Sequence, residues 1–212
     1  KLKFKHQKFQ ADAAKAVCDV FAGQPRVVST YQIDPGRDGR QGKIRNVLFT
    51  GFANNRLIPA LTDTVLLKNI NRIQHEQMIK PSDKIEGVGI NLTVEMETGV
   101  GKTYTYIKTI YELNKLYGWS KFIIVVPSVA IREGVYKSFS VTAEHFKEEY
   151  GKQIRFFIYN SGNLQNISQF ASDSSINAMI INSQAFNAKG KDARRIRMEL
   201  DEFNSRRPID VI

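Results

Sequence analysis

Cysteine is nearly absent from this chain: among 212 residues only Cys18 carries a thiol. A single thiol excludes an internal disulfide and suits a reducing compartment, so the expected location is the cytoplasm. Cys18 shares a helical face with Ala14, Val17 and Phe21, which points to a packed thiol rather than a reactive one. No apolar run approaches the roughly 18–20 residues a membrane-spanning helix needs. The basic start, Lys1–Gln10, is not followed by the apolar stretch of a secretory leader, and no membrane partner is expected. Histidine is scarce, and His6, His75 and His145 have no metal-ligand spacing with one another or with Cys18. No local motif suggests a Ser/His/Asp arrangement. A P-D followed by acid-x-Lys nuclease set is also missing: Pro81-Ser82-Asp83-Lys84 and Pro208-Ile209-Asp210 lack the downstream half. Acidic side chains are the minority, and 31 Lys and Arg against 21 Asp and Glu leave 31 − 21 = +10. That balance fits a polyanionic partner. It equally fits a basic solvated surface, or a piece of a larger protein balanced elsewhere.

What is present centres on Asn91–Tyr104, N-L-T-V-E-M-E-T-G-V-G-K-T-Y. Leu92–Met96 is short, apolar-rich and β-branched, which predicts a buried strand. Thr98-Gly99-Val100-Gly101 breaks it, and Lys102 and Thr103 open a helix with Tyr106, Ile110, Leu113 and Tyr117 at helical spacing. Strand, glycine turn, Lys-Thr and helix make the pattern of a phosphate-binding loop. A triphosphate needs many donors close together, and backbone N–H groups are the densest source. Glycine lets successive amides face one anion, and the helix start adds free amides and the positive end of its dipole. Thr98, Gly99, Val100, Gly101, Lys102 and Thr103 are therefore the candidate seat for ATP. Lys102 would reach the β- and γ-phosphates, and the Thr103 hydroxyl would hold Mg²⁺. The bland alternative is a glycine turn ahead of an ordinary helix.

Met96 stands where the strict G-x-x-x-x-G-K-[ST] pattern has its first glycine. The form ending T-G-x-G-K-T resembles the superfamily 2 helicases. Phe9-Gln10-Ala11-Asp12-Ala13 resembles their Q motif. A glutamine amide can donate to adenine N7 and accept from the N6 amine, so Gln10 is the candidate adenine reader, with Gln7 as its rival.

Alternating elements organise the rest. Lys3–Ala22 becomes an amphipathic helix ended by Gly23 and Pro25. Arg26–Ile33 and Arg45–Phe52 read as strands around a charged turn, Asp34–Lys43. A helix is expected over Asp63–Ile79 with Leu66, Ile70 and Ile73 inward. Residues 25–90 read as an insertion ahead of the phosphate-loop strand. Phe122–Val126 is an apolar run covered on both faces, and Pro127 ends it. Ile131, Val135 and Phe139 predict a helix, and Phe146 and Tyr150 a further turn or two. Ile154–Tyr159 and Ala178–Asn182 are strand candidates, Asp192–Asn204 a basic helix, and Ile209–Ile212 the start of another strand. The expected fold is α/β: a RecA-like domain with a mainly parallel sheet flanked by helices. Loops after Met96, Val126 and Ile181 would leave one sheet edge, where ligands bind in open α/β folds.

Two of those loops have nucleic-acid character. Val125–Val135, V-V-P-S-V-A-I-R-E-G-V, sits where helicases carry motif Ia, and Pro127, Ser128 and Arg132 are its candidate DNA contacts. Ser128 equally reads as a helix N-cap and Arg132 as a solvated cation. Ile180–Asn187 resembles the next helicase DNA-contact segment, with Gln184 as the candidate and Lys189, Lys191, Arg194, Arg195 and Arg197 as a basic track behind it.

V-E-M-E-T-G-V-G-K-T-Y, then K-F-I-I-V-V-P-S-V-A-I-R-E-G-V-Y-K-S, then S-Q-A-F-N are similar to the Res subunit of type III restriction endonucleases. The resemblance is close over Asn91–Phe139, loose over Phe9–Ala22, weaker through Asn187 and slight over 25–90. It implies an ATP-driven motor on double-stranded DNA that works with a methyltransferase (Mod) subunit and cuts through a separate nuclease domain. It implies ATP and Mg²⁺ as cofactors. The acidic pair and arginine finger of such motors would lie past Ile212, so this looks like a piece of a longer chain that binds nucleotide and hydrolyses it poorly alone. Three other readings stay open: another superfamily 2 motor of type I restriction or repair, a nucleotide-gated DNA-binding module without catalysis, and a phosphate-loop enzyme unrelated to DNA.

Overall fold

A computed structural model describes residues 4–34, 49–85, 89–160, 165–183 and 210–211. Its centre is a four-stranded parallel sheet in the order β4-β5-β3-β6. These strands are β3 (Lys121–Val126), β4 (Arg155–Ile158), β5 (Asn177–Asn182) and β6 (Asp210–Val211). β3 and β5 pair from Lys121↔Asn177 to Val126↔Asn182, and β4 joins β5 from Arg155↔Asn177. Strand side chains alternate between faces, so each strand feeds two cores. Phe122, Ile124 and Val126 of β3 and Ala178 and Ile180 of β5 point into the larger cluster. Ile123, Met179 and Ile181 point the other way, onto Tyr159 and Phe170.

The larger cluster is covered by α3 (Lys102–Tyr117) and α4 (Val129–Tyr150). The smaller is covered by α5 (Gln165–Ser172), whose Phe170 is fully buried. Helices on both faces of a parallel sheet are the α/β layering that the alternation predicts. α1 (Lys8–Asp19) lies along α3 and contributes Cys18 to the larger core. Burial pushes that thiol up to about 12, with Glu112 and Asp19 adding to the effect. Cys18 is therefore the packed thiol expected of its face.

The stretch from Pro25 to Ile90 is stitched to this body at several points. β1 (Tyr31–Asp34) and β2 (Phe49–Phe52) form a separate antiparallel pair, Tyr31↔Phe52 to Asp34↔Phe49. They are shorter than expected, and the charged turn lies outside the described residues. α2 (Asp63–Glu76) starts at Thr62, whose hydroxyl accepts from the Val65 amide at 3.4 Å. Leu66 is buried with Val20 and Leu61, and Ile70 and Ile73 pack against that cluster. The buried Asn54 acts as a staple: its Oδ1 accepts from the Ser120 and Lys121 amides at 2.7 and 2.9 Å, and its Nδ2 donates to the Lys121 carbonyl at 2.7 Å. Trp119 Nε1 donates to the Asn55 carbonyl at 3.1 Å, and the Val27 amide donates to the Tyr117 carbonyl. Gly51 passes so close to α5 that a Cβ there would sit 2.6 Å from the Ala171 carbonyl oxygen.

Two expectations need correction. Leu92–Met96 does not form a strand and pairs with no strand among the described residues, and Leu92 and Val94 are 36% and 47% exposed. Residues with β propensity need a neighbour to satisfy their backbone groups. The free side of β3 is taken by β6, Phe122↔Asp210 and Ile123↔Val211. Second, the helix after Pro127 continues unbroken to Tyr150 rather than resuming in a further turn. On that helix Val135 and Phe139 are buried and Ile131 is exposed. The helix α5 had no counterpart in the sequence reading. The basic segment Asp192–Asn204 lies outside the described residues. No described helix is long and apolar enough to cross a membrane.

Candidate functional site

The loop ahead of α3 takes its shape from two glycines. Gly99 and Gly101 both have left-handed backbones, φ +80° and +88°, which cost an L-residue roughly 1–2 kcal/mol each. Gly101 is the N-cap of α3 and offers no side chain to the first-turn amides. The amides of Lys102, Thr103 and Tyr104 therefore stand at an uncapped helix start, and the first backbone bond back into the loop is Thr105 N–H to Gly101 O at 3.0 Å. The Gly99 Cα faces open space, with no atom within 4 Å of where a Cβ would lie. Uncapped donors beside an open glycine are the chemistry an anion requires.

Lys102 is exposed, and its ammonium donates to the Glu97 carbonyl at 2.6 Å. The cation thus rests on its own loop. Thr103 is half-buried in the first turn of α3. Gln10 comes to the same place from α1. It is buried, and its Nε2 donates to the Val100 carbonyl at 2.8 Å. That amide fills the space beside Gly101, where a Cβ would lie 2.6 Å from Gln10 Nε2. Gln7, the rival, is the exposed N-cap of α1. The fold therefore brings Gln10, Thr98, Gly99, Val100, Gly101, Lys102 and Thr103 together, although they span two separated segments.

The second group sits at the ends of β3 and β5. Val126 pairs with Asn182, so the loops carrying Ser128 and Ser183 leave the sheet at one edge. Pro127 is exposed there. Ser128 is the N-cap of α4, with Oγ accepting from the Ile131 amide at 3.3 Å. Arg132 is paired with its neighbour, Nη2 to Glu133 Oε1 at 2.9 Å, so it is a partly neutralised cation rather than a solvated one. Gln184, Lys189 and Lys191 lie outside the described residues. Because Leu92–Met96 is not in the sheet, strand pairing does not fix the phosphate loop to this edge.

A third group escaped the sequence reading. Tyr104 Oη lies 2.8 Å from His145 Nε2, joining the first turn of α3 to the last turns of α4. His145 Nε2 is also 3.5 Å from Glu149 Oε2. Lys108 Nζ donates to Glu149 Oε1 at 2.5 Å and to Tyr150 Oη at 2.7 Å, and the Tyr150 hydroxyl donates to Glu112 Oε1 at 2.6 Å. Burial, with the Glu149 charge behind it, pushes the Tyr104 hydroxyl up to about 12. Burial also holds His145 below its usual range, against the pull of Glu149. The signal was available: Tyr104, Lys108 and Glu112 are four apart, as are His145 and Glu149, so each set shares a helix face. Which two faces meet is not a local property.

Comparison with known proteins gives a consistent result. The family "Type III restriction enzyme, res subunit" matches residues 67–205. The Res subunit of the type III restriction-modification enzyme EcoP15I of Escherichia coli is 33% identical over 186 residues, 79% of this chain and 19% of that protein. The EcoPI Res subunit of Escherichia phage P1 is 39% identical over 104 residues, 48% of this chain and 11% of that protein. The StyLTI Res subunit of Salmonella typhimurium is 45% identical over 62 residues, 28% of this chain and 6% of that protein. The chain thus spans less than a fifth of the length of these curated relatives.

Proposed function

Since this chain belongs to the type III restriction enzyme Res subunit family, we propose that it is the nucleotide-binding part of a DNA-dependent ATP-hydrolysing motor. The observation that carries this reading is the junction of Gln10 with the glycine loop at the start of α3. The loop and helix start would hold the phosphates of ATP through the amides that follow Gly99. Lys102 would leave the Glu97 carbonyl for the β- and γ-phosphates, where its charge offsets the negative charge that develops during in-line attack by water. The Thr103 hydroxyl would hold Mg²⁺, which when bound supplies further neutralisation of the same oxygens. Gln10 lies against the loop and would read the adenine edge.

Double-stranded DNA is the proposed polyanionic partner, with Pro127, Ser128 and Arg132 at the start of α4 and Gln184, Lys189 and Lys191 after β5 following one backbone. A Mod subunit would supply sequence recognition, and cleavage would belong to another part of the full polypeptide. The lone buried thiol suits work in the cytoplasm. We read the chain as one RecA-like unit, with residues 25–90 inserted ahead of the phosphate loop and tied down through Asn54 and Trp119.

The test is Lys102→Ala in the full-length polypeptide. DNA-stimulated ATP hydrolysis should vanish while DNA binding and the melting profile persist. Surviving DNA-stimulated hydrolysis would overturn the catalytic reading. Failure of the unmodified polypeptide to bind Mg·ATP would remove the motor reading altogether.

A further inference from the structure

The polar cluster between α3 and α4 has no part in the chemistry above, yet it begins one residue after Thr103. Tyr104 reaches His145, His145 lies against Glu149, and Glu149 holds Lys108 of α3. Lys108 is about nine-tenths buried. Burying an ion pair seldom stabilises a fold more than apolar packing of the same size. The surrounding contacts are apolar or aromatic, with Tyr104 4.9 Å and Tyr111 5.0 Å from the Phe146 ring. A polar joint set inside such packing specifies one alignment of two helices, because any slip leaves buried charges without partners.

The joint also spans the right distance. Its α3 side is attached to the loop that holds Lys102. Its α4 side is attached to a continuous helix whose other end carries Ser128 and Arg132. His145 is thirteen residues past Arg132, which places them about 20 Å apart along the axis. A helix is stiff over that length, so an adjustment at His145 is carried to Ser128.

Resting on the motor reading above, we propose that Tyr104 and His145 are positioning residues: the hydrogen bond between them, braced by Glu149 and Lys108, is the joint through which nucleotide at the phosphate loop sets the attitude of α4 and of Ser128 and Arg132 on DNA. When Lys102 leaves the Glu97 carbonyl, the first turn of α3 adjusts, and Tyr104 is on that turn. His145 gives the joint two states. The neutral ring with its proton on Nδ1 accepts a hydrogen bond from the Tyr104 hydroxyl at Nε2. A protonated ring presents Nε2–H to the same two neighbours, Tyr104 and Glu149, and competes with Lys108 for the carboxylate. The groups facing the ring are Tyr104 and Lys108 from α3, Glu148 and Glu149 from its own helix, and Phe4 and His6 from the segment before α1.

The experiment uses the full-length polypeptide with Tyr104→Phe, His145→Gln and Glu149→Gln, measuring Mg·ATP affinity, DNA-free hydrolysis and stimulation by duplex DNA. Site-to-site couplings commonly amount to about 5–150-fold in affinity. Glu149→Gln, which lies on α4 away from the phosphate seat, is expected to keep Mg·ATP affinity and DNA-free hydrolysis within about twofold and to lose DNA stimulation by about fivefold or more. The double variant Tyr104→Phe/Glu149→Gln should be no worse than the worse single one, since both break one joint. The unmodified protein should lose stimulation as pH drops below the ordinary histidine range, and His145→Gln, which can still accept from Tyr104, should keep stimulation at neutral pH and show no such fall. Full DNA stimulation in Glu149→Gln overturns the proposal, and so does a collapse of its Mg·ATP affinity, which would make the cluster a support of the nucleotide seat. If Glu149→Gln does not fold, the loss or survival of DNA stimulation in Tyr104→Phe decides. An unmodified protein that binds no Mg·ATP fails the motor reading instead, so the two failures are distinct.

Discussion

Gly101→Ala measures how the phosphate loop and Gln10 constrain each other. Gly99 and Gly101 share a left-handed backbone, but their surroundings differ. A Cβ on Gly99 meets nothing within 4 Å, whereas on Gly101 it falls 2.6 Å from Gln10 Nε2. Alanine at either position lets the free loop relax, and binding a triphosphate must restore the curled form. Gly99→Ala therefore carries only the left-handed cost of roughly 1–2 kcal/mol, or about 5–30-fold in Mg·ATP affinity. Gly101→Ala carries that cost and also displaces the Gln10 amide from the Val100 carbonyl. The lost hydrogen bond adds about 0.5–1.5 kcal/mol, a further factor of roughly 2–12. The assay is Mg·ATP titration of the full-length polypeptide, with hydrogen exchange at the Lys102–Tyr106 amides reporting the loop directly. In a Gln10→Ala background the Cβ meets no amide, so Gly101→Ala should then cost no more than Gly99→Ala costs the unmodified protein. Equal losses at the two glycines, or no relief from Gln10→Ala, would refute the geometry.

Other predictions follow from the packing. Asn54→Leu deprives the Ser120 and Lys121 amides and the Lys121 carbonyl of one partner, and a loss of about 2–4 kcal/mol is expected from urea titration. Ser128→Ala removes the α4 cap, costing about 0.5–2 kcal/mol, and should weaken DNA binding in a salt-dependent assay without altering Mg·ATP affinity. Burial lowers the Lys121 ammonium from its ordinary 10.5 to about 8. The unfolded chain then binds more protons than the folded one between those values, so this group makes stability rise as pH climbs from about 8. Lys121→Met should flatten that rise in urea midpoints taken across the window. Cys18 should react with a thiol reagent at pH 8 at least about a hundredfold more slowly than in the denatured chain, since its thiolate is suppressed and its path blocked.

The sequence made some of this plain and hid the rest for physical reasons. α3 was legible because Ile110, Leu113 and Tyr117 repeat at helical spacing and are buried. β3 and β5 were legible because both faces are covered, so their apolar runs are continuous. Leu92–Met96 had the same local character and misled, because a strand exists only through its neighbour and β propensity does not name one. α5 is short and mostly polar, with only Phe170 and Ala171 buried, too little to register as a period. At the site, the glycine loop could be read outright. Gln10 could be proposed from its place upstream, but that its amide fills the space beside Gly101 is a consequence of how α1 lies on α3. The role of Asn54 depends on Ser120 and Lys121, more than sixty residues away, and no local pattern announces it.

The unpaired run through Leu92 and Val94 also bears on how the protein behaves in a test tube. Its apolar side chains face water, and its main chain pairs with no strand among the described residues, which leaves it open to other chains. Such a stretch is a ready partner for its own copies, and Thr93 and Glu95, the polar residues set between them, temper but do not prevent stacking. Preparations should therefore cloud with rising concentration, and a lysine in place of Val94 should raise the concentration at which they do.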